Sequence, residues 1–375
     1  MIYLDYNATT PIAEEVAEVM ESMIKNYGNP SSSHELGIKA KMAVEKARSR
    51  VVSLINCSPE EIVFTSGGSE SNNMVIKGVA FSYQNKGKHI ITSEIEHPAV
   101  LNPCKFLEKL GYEITYLPVD EYGMVSPHDV EKAITDQTIL LTIMHANNET
   151  GTIQPIEEIS RISKKYDVLL HTDAAQSVGK VPIKVDELGV DFLSIAGHKL
   201  YAPKGIGALY IKEGIEIEPL IHGAGHEKGR RAGTENVIYD TAIGKACELA
   251  GKFLNNEKTN RKGNTVAEMK KLADYFYESL LEKFPEKIRL NGHKEKRLPN
   301  TLNISFIGHD GNQIVDQLDN IAVSTGSACH SGFTTISPVL KAMSVPEEVG
   351  RGAIRFSLGK YTTKDEIDTV IKQLE

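Results

Sequence analysis

The chain has 375 residues, of which 41% are hydrophobic and 25% are charged, a composition typical of a folded protein that is long enough for two hydrophobic cores. Its formal net charge is −8 at pH 7 and its basic residues are scattered, which argues against a nucleic-acid partner. No stretch approaches the roughly 18 consecutive apolar residues of a membrane span, and the first residues lack the basic and apolar regions of a signal peptide. We therefore expect a cytoplasmic protein with neither a membrane nor a nucleic-acid partner.

Short apolar runs alternate with helical patterns between residues 60 and 211. The predicted strands, in chain order, are residues 62–65, 89–92, 113–117, 138–144, 168–172, 192–196 and 206–211. Seven strands with helical connections predict an α/β fold built on a mostly parallel, doubly wound sheet. Ligands of such sheets bind beyond the carboxyl ends of the strands. Because polar residues follow several of these strands, we expect one composite site at that edge.

The last third of the chain predicts a second, smaller unit. A glycine-rich stretch at 222–233 precedes helical patterns near 235–252 and 265–283. The remaining predicted elements are strands near residues 288–290, 302–306, 321–324 and 353–357, and helices near 311–318, 338–343 and 364–373. We therefore expect a large domain formed by residues 15–255 and a smaller α/β domain formed by residues 1–14 and 256–375.

A phosphate-binding turn is predicted where the first strand of the large domain leads into a helix. The sequence FTSGGSESNN, residues 64–73, runs from a strand through a glycine pair into a helix whose first N–H groups have no helical partners. Gly68 lets the backbone approach an anion, and the helix dipole favours negative charge. Ser66 and Ser69 can add hydroxyl donors. Such turns are common in α/β proteins, so this segment alone does not establish a phosphate ligand.

Two later strand ends carry the residue types that pyridoxal phosphate (PLP) requires. Asp173 closes the sequence HTD, and Lys199 follows 26 positions later in GHK. PLP needs a lysine that binds it covalently and a carboxylate that holds its pyridine nitrogen protonated, so that the ring accepts electrons from the substrate. Taken singly, Asp173 would be interpreted as a helix N-cap and Lys199 as a solvated surface lysine. Their combination with the turn at residues 64–73 favours a PLP site.

The four cysteines show no C-x-x-C spacing, so neither a zinc site nor an iron–sulfur cluster is expected. Cys57, Cys104 and Cys247 lie in or beside apolar helical patterns, and we expect them to be small buried hydrophobic residues in a reducing cytosol. Cys329 lies instead in STGSACHSG, residues 324–332, where small and polar residues predict an exposed loop. No metal site is predicted.

Nine ordered motifs make the chain resemble the cysteine desulfurase family, a branch of the PLP-dependent class-V aminotransferases, over essentially its whole length. The motifs are YLDYNATTP at 3–11, GNPSS at 28–32, TSGGSESNN at 65–73, EHP at 96–98, NNETG at 147–151, GHK at 197–199, RAGTEN at 231–236, GSAC at 326–329 and RFSLG at 355–359. The resemblance implies PLP fold type I, with a large PLP-binding domain. It also implies conversion of L-cysteine into L-alanine, with the sulfur left as a persulfide on Cys329.

The resemblance implies further site residues by position. His97 would stack over the PLP ring and act as an acid and a base, and Asn148 and Gln176 would contact the phenolic oxygen of PLP. His198 would contact the phosphate. Thr234 would reach the phosphate of the neighbouring subunit, which makes the expected active unit a homodimer. Without the surrounding motifs, the histidine at position 97 would be interpreted as a satisfied core residue and the threonine as a helix cap.

Arg355 is the predicted anchor for the substrate. It lies on a strand predicted in the smaller domain, and its planar guanidinium suits bidentate binding of an α-carboxylate. An isolated arginine more often forms a surface salt bridge, but the match to RFSLG places this one where the family binds its amino acid. Asn148 is a second candidate for a contact with the same carboxylate.

Two positions depart from the common pattern of the family. Ala196 stands where family members commonly carry a serine that contacts the phosphate. PLP affinity would then depend more on Ser69, His198 and Thr234. His330 directly follows Cys329, and this pairing resembles the selenocysteine lyases of the same family. The preference between cysteine and selenocysteine therefore stays open.

The resemblance implies a mechanism in which Lys199 holds PLP and removes the Cα proton, after which Cys329 attacks the substrate sulfur. A thiol with a pKa of about 8.5 is only a few per cent ionised at pH 7, so His97 or the adjacent His330 would help to form the thiolate. The persulfide would then pass to an acceptor such as a scaffold for iron–sulfur cluster assembly.

Three other functions remain open at this point. A selenocysteine lyase would use the same residues on a selenol substrate. An ordinary aminotransferase of this fold would not need Cys329. A non-catalytic sulfur-carrier or docking protein belongs to a different class. The joint presence of five candidate site residues argues against it, namely Lys199, Asp173, His97, Cys329 and Arg355.

Overall fold

The computed structural model describes residues 1–257, 263–325 and 336–374. Its strands are β1 (Ile2–Tyr3), β2 (Ile62–Thr65), β3 (His89–Ser93), β4 (Glu113–Leu117), β5 (Thr138–Thr142), β6 (Leu169–Asp173), β7 (Phe192–Ala196), β8 (Gly207–Ile211), β9 (Ile288–Asn291), β10 (Thr301–Phe306), β11 (Ile321–Ala322) and β12 (Ala353–Ser357). Its helices are α1 (Glu14–Ile24), α2 (Glu35–Ile55), α3 (Gly68–Ser82), α4 (Pro98–Glu108), α5 (Pro127–Ala133), α6 (Ile156–Lys165), α7 (Val185–Leu188), α8 (Val237–Leu254), α9 (Val266–Lys283), α10 (Gly311–Gln317), α11 (Pro338–Ala342), α12 (Glu347–Gly350) and α13 (Lys364–Gln373). Short 3₁₀ turns occupy Pro59–Glu61, Gly197–Lys199 and His226–Gly229.

The central sheet has seven strands in the order β2-β8-β7-β6-β5-β3-β4. Strands β3 to β7 pair in parallel, whereas β8 is antiparallel to both of its neighbours. This confirms the predicted α/β fold with a mostly parallel sheet. Within this sheet, the largest difference in strand bounds is at β5, which ends at Thr142 rather than at residue 144. The buried apolar pattern continues through Ile143 and Met144, so hydrophobicity alone does not mark the end of this strand.

Helices cover both faces of the central sheet. Successive side chains of a strand point to opposite faces, and neighbouring residues accordingly enter different cores. Phe64, Ile91 and Leu141 join the core that also contains residues of α2, α6 and α8. Ile90 and Leu140 join the core formed with α3 and α4. The sheet is therefore buried on both sides, which explains the nearly continuous apolar runs of its strands.

A separate three-stranded sheet, in the order β12-β10-β9, lies in the carboxyl-terminal part of the chain. The predicted elements of the smaller unit are present, but this sheet is antiparallel throughout. Its core combines Leu302 and Phe356 with Phe276 of α9 and Ile367 of α13. The amino terminus joins the same core, because β1 pairs with β11 and Leu4 is buried there. The domain boundaries at residues 15 and 255 stay predictions.

Within the described ranges, no helix is both long and apolar enough to cross a membrane. The cytoplasmic location stays a prediction.

Helices α1 and α2 lie outside the elements predicted from the sequence. Helix α2 packs closely along α8, and Gly244 of α8 faces Ala47 of α2. A Cβ atom added at Gly244 would lie 2.5 Å from the Cα atom of Ala47, a separation that requires the backbones to move apart. The absence of a side chain at Gly244 therefore sets the distance between these two helices.

Replacing Gly244 with alanine should destabilise the protein by about 1–3 kcal/mol, because overpacking outweighs the gain in helix propensity. The matched control is Gly251→Ala in the same helix, where an added Cβ meets no atom within 4 Å. That control should stabilise the helix by roughly 0.5–1 kcal/mol. Thermal unfolding of both variants measures the difference, and equal shifts of the two unfolding temperatures would contradict the proposed close packing.

Candidate active site

A cavity of about 430 Å³ opens beyond the carboxyl ends of the parallel strands β3, β5, β6 and β7. Most of the predicted site residues line it, namely Gly68, Ser69, His97, Asn148, Asp173, Gln176, His198, Lys199 and Arg355. The expected composite site at this edge of the sheet is therefore present. Asn7 and Ala8 from the amino-terminal segment also line the cavity, and the sequence did not identify them as site residues.

The turn between β2 and α3 offers unpaired backbone donors to this cavity. Gly67 has a φ of 148°, a conformation that L side chains rarely adopt and that glycine tolerates. Among the described residues, no side chain caps the amino terminus of α3. The N–H groups of Gly68 and Ser69 therefore remain available to an anion. Glu70 in the same first turn forms an ion pair with Arg231, at 2.9 Å between Oε1 and Nε.

Asp173 ends strand β6 and is held by two hydrogen bonds. Its Oδ2 accepts a hydrogen bond from Asn72 Nδ2 at 2.7 Å, and its Oδ1 accepts one from the N–H of Ala175 at 2.9 Å. The second contact is the local turn expected of a capping residue. The residue nonetheless lies at the wall of the cavity and is only 8% exposed. The carboxylate is thus rigidly oriented beside a ligand-sized space.

Lys199 extends into the cavity from the short turn after β7. Its ammonium group donates hydrogen bonds to the carbonyl oxygens of Asn7 and Ala8, the latter at 2.7 Å. Burial and the nearby charge of Arg355 lower the pKa of Lys199 to about 8, although Asp5 and Asp173 oppose this shift. The interpretation as a solvated surface lysine is therefore wrong. Near neutral pH an appreciable fraction of this amine is uncharged and able to act as a nucleophile or a base.

The two histidines of the cavity are held in their neutral forms. His97 caps helix α4, where its Nδ1 accepts a hydrogen bond from the N–H of Ala99 at 3.1 Å. Desolvation of its ring lowers the pKa of His97; the charge of Asp173 opposes this shift, and the charge of Lys199 adds to it. Burial and the neighbouring Lys199 lower the pKa of His198 to about 4. Both rings are therefore mainly uncharged at neutral pH, and because Nδ1 of His97 accepts the Ala99 N–H, the hydrogen of that neutral ring lies on Nε2.

Arg355 reaches the cavity from β12 and is 6% exposed. Its Nη1 donates to the carbonyl oxygen of Asn148 at 3.1 Å, and its Nη2 contacts Oδ1 of Asp5 at 2.6 Å. Its buried Nε has no hydrogen-bond partner among the described residues. The guanidinium is thus paired inside the site rather than on the surface. The partner carboxylate, Asp5, was not identified from the sequence.

Gln176 belongs to a polar network on the floor of the cavity. Its Nε2 donates to the carbonyl oxygen of Asn7 at 2.9 Å, and its Oε1 accepts a hydrogen bond from Lys180 at 3.0 Å. Lys180 also donates to Oδ1 of Asn7, at 3.1 Å. Lys180 and Asn7 were missed because sequence spacing gives no signal for contacts between residues 173 positions apart.

Two predicted site residues are not placed at the cavity. Thr234 is exposed and does not line it. Cys329 lies outside the described residues. The other cysteines are poor candidates for a reactive thiol, because burial raises the pKa of Cys57, Cys104 and Cys247 to about 12. Cys104 and Cys247 are buried as predicted, whereas Cys57 is only half-buried.

The cavity fits PLP on three structural grounds. Lys199 supplies a desolvated amine, Asp173 supplies an oriented carboxylate, and the uncapped start of α3 supplies donors for a phosphate. Ala196, where a serine was expected from the resemblance, presents only a methyl group at the end of β7. The N–H groups at the start of α3 are phosphate donors that do not depend on that hydroxyl.

The chain is similar to known proteins over nearly its whole length. Residues 2–370 match the family model for class-V aminotransferases. The chain is 52% identical to cysteine desulfurase IscS of Dictyoglomus turgidum, with 100% of this chain and 93% of that protein covered. It is 49% identical to cysteine desulfurase IscS of Methanosarcina thermophila, with coverages of 99% and 90%.

Solved structures give the same picture of the fold. A NifS-like protein has a TM-score of 0.91 and 39% identity, with 100% of this chain and 98% of that chain covered. SspA in complex with cysteine has a TM-score of 0.84 and 38% identity, with coverages of 97% and 100%.

The depressed pKa of Lys199 predicts a distinctive pH profile in protein freed of any cofactor. Labelling of Lys199 by an amine-selective reagent should rise with a midpoint near pH 8, whereas lysines of the denatured chain titrate near about 10.4. Arg355→Met should move the midpoint upward, because it removes a neighbouring positive charge. Peptide mass spectrometry measures the labelling, and a midpoint close to that of the denatured chain would show that the amine is not desolvated.

Proposed function

Because this chain belongs to the class-V aminotransferase family, we propose that it is a PLP-dependent cysteine desulfurase, which converts L-cysteine into L-alanine and leaves the sulfur as a persulfide on Cys329. The observation that carries the proposal is the convergence of Lys199 and Arg355 on one cavity. The first supplies an amine for the cofactor, and the second supplies a cation for an amino-acid carboxylate. The relatives named above are cysteine desulfurases, which directs the proposal to cysteine.

PLP, bound covalently through Lys199, supplies an electron sink for the pair released when the substrate loses its Cα proton. The Asp173 carboxylate, oriented by Asn72, keeps the pyridine nitrogen protonated. The N–H groups of Gly68 and Ser69, assisted by His198, bind the phosphate. Asn148 and Gln176 contact the phenolic oxygen. These assignments are supported by the position of each residue on the cavity wall.

The substrate carboxylate binds Arg355. The guanidinium carries five N–H donors, of which one contacts Asp5 and one contacts the Asn148 carbonyl. Donors therefore remain for an incoming α-carboxylate, and the Asn148 side chain can share it. Asp5 holds the guanidinium in position, but its negative charge also weakens the attraction for a second carboxylate.

Lys199 and His97 move the protons of the reaction. A lysine with a pKa of about 8 is partly uncharged near neutral pH and can remove the Cα proton. His97 is the proposed proton acceptor for the thiol of Cys329. Its Nδ1 already accepts the N–H of Ala99, so the neutral ring carries its hydrogen on Nε2 and takes up the thiol proton only when Nδ1 is released from that contact.

Cys329 is the proposed nucleophile. Its thiolate forms a bond with the substrate sulfur while the substrate Cβ–S bond breaks, and the electrons of that bond stay with the carbon fragment, which takes up protons and leaves as alanine. The backbone of Ser324, five residues earlier, is paired with Arg355. The described chain thus reaches a residue that lines the cavity shortly before Cys329, which supports the proposal.

The proposed active unit is a homodimer in which Thr234 serves the phosphate site of the partner subunit. Its exposure, away from the cavity of its own subunit, supports this role. Apolar side chains are also exposed on the same protein, including Ile24 at 65%, Tyr27 at 82% and Met42 at 68%. Exposed apolar side chains such as these are available to an association interface. The persulfide sulfur is then donated to an acceptor protein, such as a cytoplasmic scaffold for iron–sulfur clusters.

Replacing Cys329 with alanine should preserve PLP binding and the spectral response to cysteine, because Lys199 and Arg355 are intact, but should abolish persulfide and alanine formation. Mass spectrometry of each cysteine and an alanine assay measure the two products. The matched control is Cys57→Ala, which removes a thiol with a pKa of about 12 and should retain activity. Cysteine desulfuration at the native rate by Cys329→Ala would overturn the mechanism.

Two further measurements test the role of Arg355 and the selenocysteine lyase alternative. Arg355→Ala should weaken cysteine binding itself, by roughly 2–5 kcal/mol if the charge pair with the carboxylate is well desolvated. Selenocysteine supplied in place of cysteine tests the lyase alternative. Its selenol is more ionised and its carbon–selenium bond is weaker, so some cleavage can persist without Cys329.

The dimer proposal predicts complementation between subunits. Thr234→Val homodimers should bind PLP more weakly, by about threefold to tenfold for one lost hydrogen bond. A heterodimer can combine one Thr234→Val subunit with one Lys199→Ala subunit. One of its two sites then contains the intact Lys199 of the first subunit and the intact Thr234 of the second, and native PLP affinity should return at that site. Light scattering and PLP titration of separated heterodimers measure these effects. A fully active monomer, or no recovery in heterodimers, would contradict the shared site.

A further inference from the structure

Lys180 is a buried lysine below the floor of the cavity. It is 8% exposed, and among the described residues no carboxylate forms an ion pair with it. Its Nζ donates instead to Oε1 of Gln176 at 3.0 Å and to Oδ1 of Asn7 at 3.1 Å. Lysine is rarely buried without a charged partner, so this placement calls for a specific role.

The two neighbours of Gln176 fix the orientation of its side-chain amide. The backbone carbonyl of Asn7 can only accept a hydrogen bond, so the amide nitrogen must face it. The amide oxygen then faces Lys180, which supplies the donor. Reversing the amide would set its oxygen against the carbonyl oxygen of Asn7 and its nitrogen against the amine of Lys180. Both flanking contacts therefore select the same orientation.

This orientation leaves one N–H of Gln176 unassigned. The amide nitrogen carries two hydrogens, and one of them is used by the Asn7 carbonyl. Gln176 lines the cavity, so the second hydrogen is available to a ligand there. The group presented to the ligand is thus a donor, which matches an anionic oxygen.

Lys180 donates these hydrogen bonds in a strongly desolvated position. Burial, followed by the charges of Lys199 and Arg355, holds the pKa of Lys180 well below its ordinary value. An amine donates hydrogen bonds whether or not it is charged, so the contacts with Gln176 and Asn7 do not require a charged lysine.

We propose that Lys180 is a positioning residue that locks Gln176 with an N–H directed at the phenolic oxygen of PLP. The inference rests on the proposed function, since it requires PLP at Lys199. Lys180 touches neither cofactor nor substrate in this role and acts only through the amide of Gln176. A donor to the phenolic oxygen stabilises its deprotonated form. Loss of Lys180 should therefore raise the pH midpoint of the visible absorbance change of the PLP-loaded protein.

The test compares Lys180→Met, Gln176→Leu and the double variant in PLP-loaded protein without substrate. Methionine keeps the length of the side chain but has no donor. Both single variants should raise the pH midpoint and weaken PLP binding by about threefold to tenfold, the range for one hydrogen bond. The double variant should match Gln176→Leu alone, because Lys180 acts through that residue. The matched control is Lys184→Met, an exposed lysine of the same segment, which should change neither quantity.

Lys180→Gln keeps a side-chain donor and should shift the midpoint less than Lys180→Met; it also serves if the methionine variant does not fold. An unchanged midpoint in the folded Lys180 variants, or a full additional shift in the Gln176→Leu background, would overturn the inference. Borohydride reduction of the native protein gives the separate check on the proposed function. Absence of PLP on Lys199 would overturn both, whereas PLP on Lys199 with unaffected Lys180 variants would overturn only this inference.

Discussion

The buried side chain of Asn7 connects the central sheet, the smaller sheet and the cavity, and it is only 1% exposed. Its Oδ1 accepts hydrogen bonds from Lys180 and Asn300, and its Nδ2 donates to the Asn148 carbonyl and to Thr301. Its backbone carbonyl accepts from the amine of Lys199 as well as from Gln176. Because an unpaired buried amide is costly, these contacts fix the relative positions of the lysine, the amide and the small sheet at one point.

The chemistry of the cavity depends on crowding positive groups in a desolvated space. Arg355 and Lys199 lie close enough for the arginine charge to lower the pKa of the lysine amine. Asp5 and Asp173 counteract that effect only in part. An uncharged amine near neutral pH is the form that binds a carbonyl carbon and removes a proton. In the proposed mechanism, the arginine that attracts the substrate therefore also lowers the pKa of the lysine that acts as the base.

The buried titratable groups around the cavity are arranged to remain neutral. Complete burial raises the pKa of Glu96 to about 8, and its Oε1 accepts hydrogen bonds from Ser93 and from the N–H of Met144. Burial also lowers the pKa of His145 to about 4 and that of His171 to about 3. These groups order the strand ends through hydrogen bonds without adding charges to the site. The electrostatic potential in the cavity is then determined mainly by the charged residues that line it.

The sequence alone determined the seven strands of the central sheet, the turn before α3 and the pair of Asp173 and Lys199, because each depends on local patterns of a few residues or on placement at a strand end. It did not determine the antiparallel small sheet, the Asp5–Arg355 ion pair or the anchoring of Gln176 by Lys180 and Asn7. The ion pair joins residues 350 positions apart, and such contacts arise only when the amino terminus packs beside β12. Local sequence patterns do not predict which distant segments pack together. Only the tertiary structure therefore decided which charged residues form ion pairs and which buried polar atoms form hydrogen bonds.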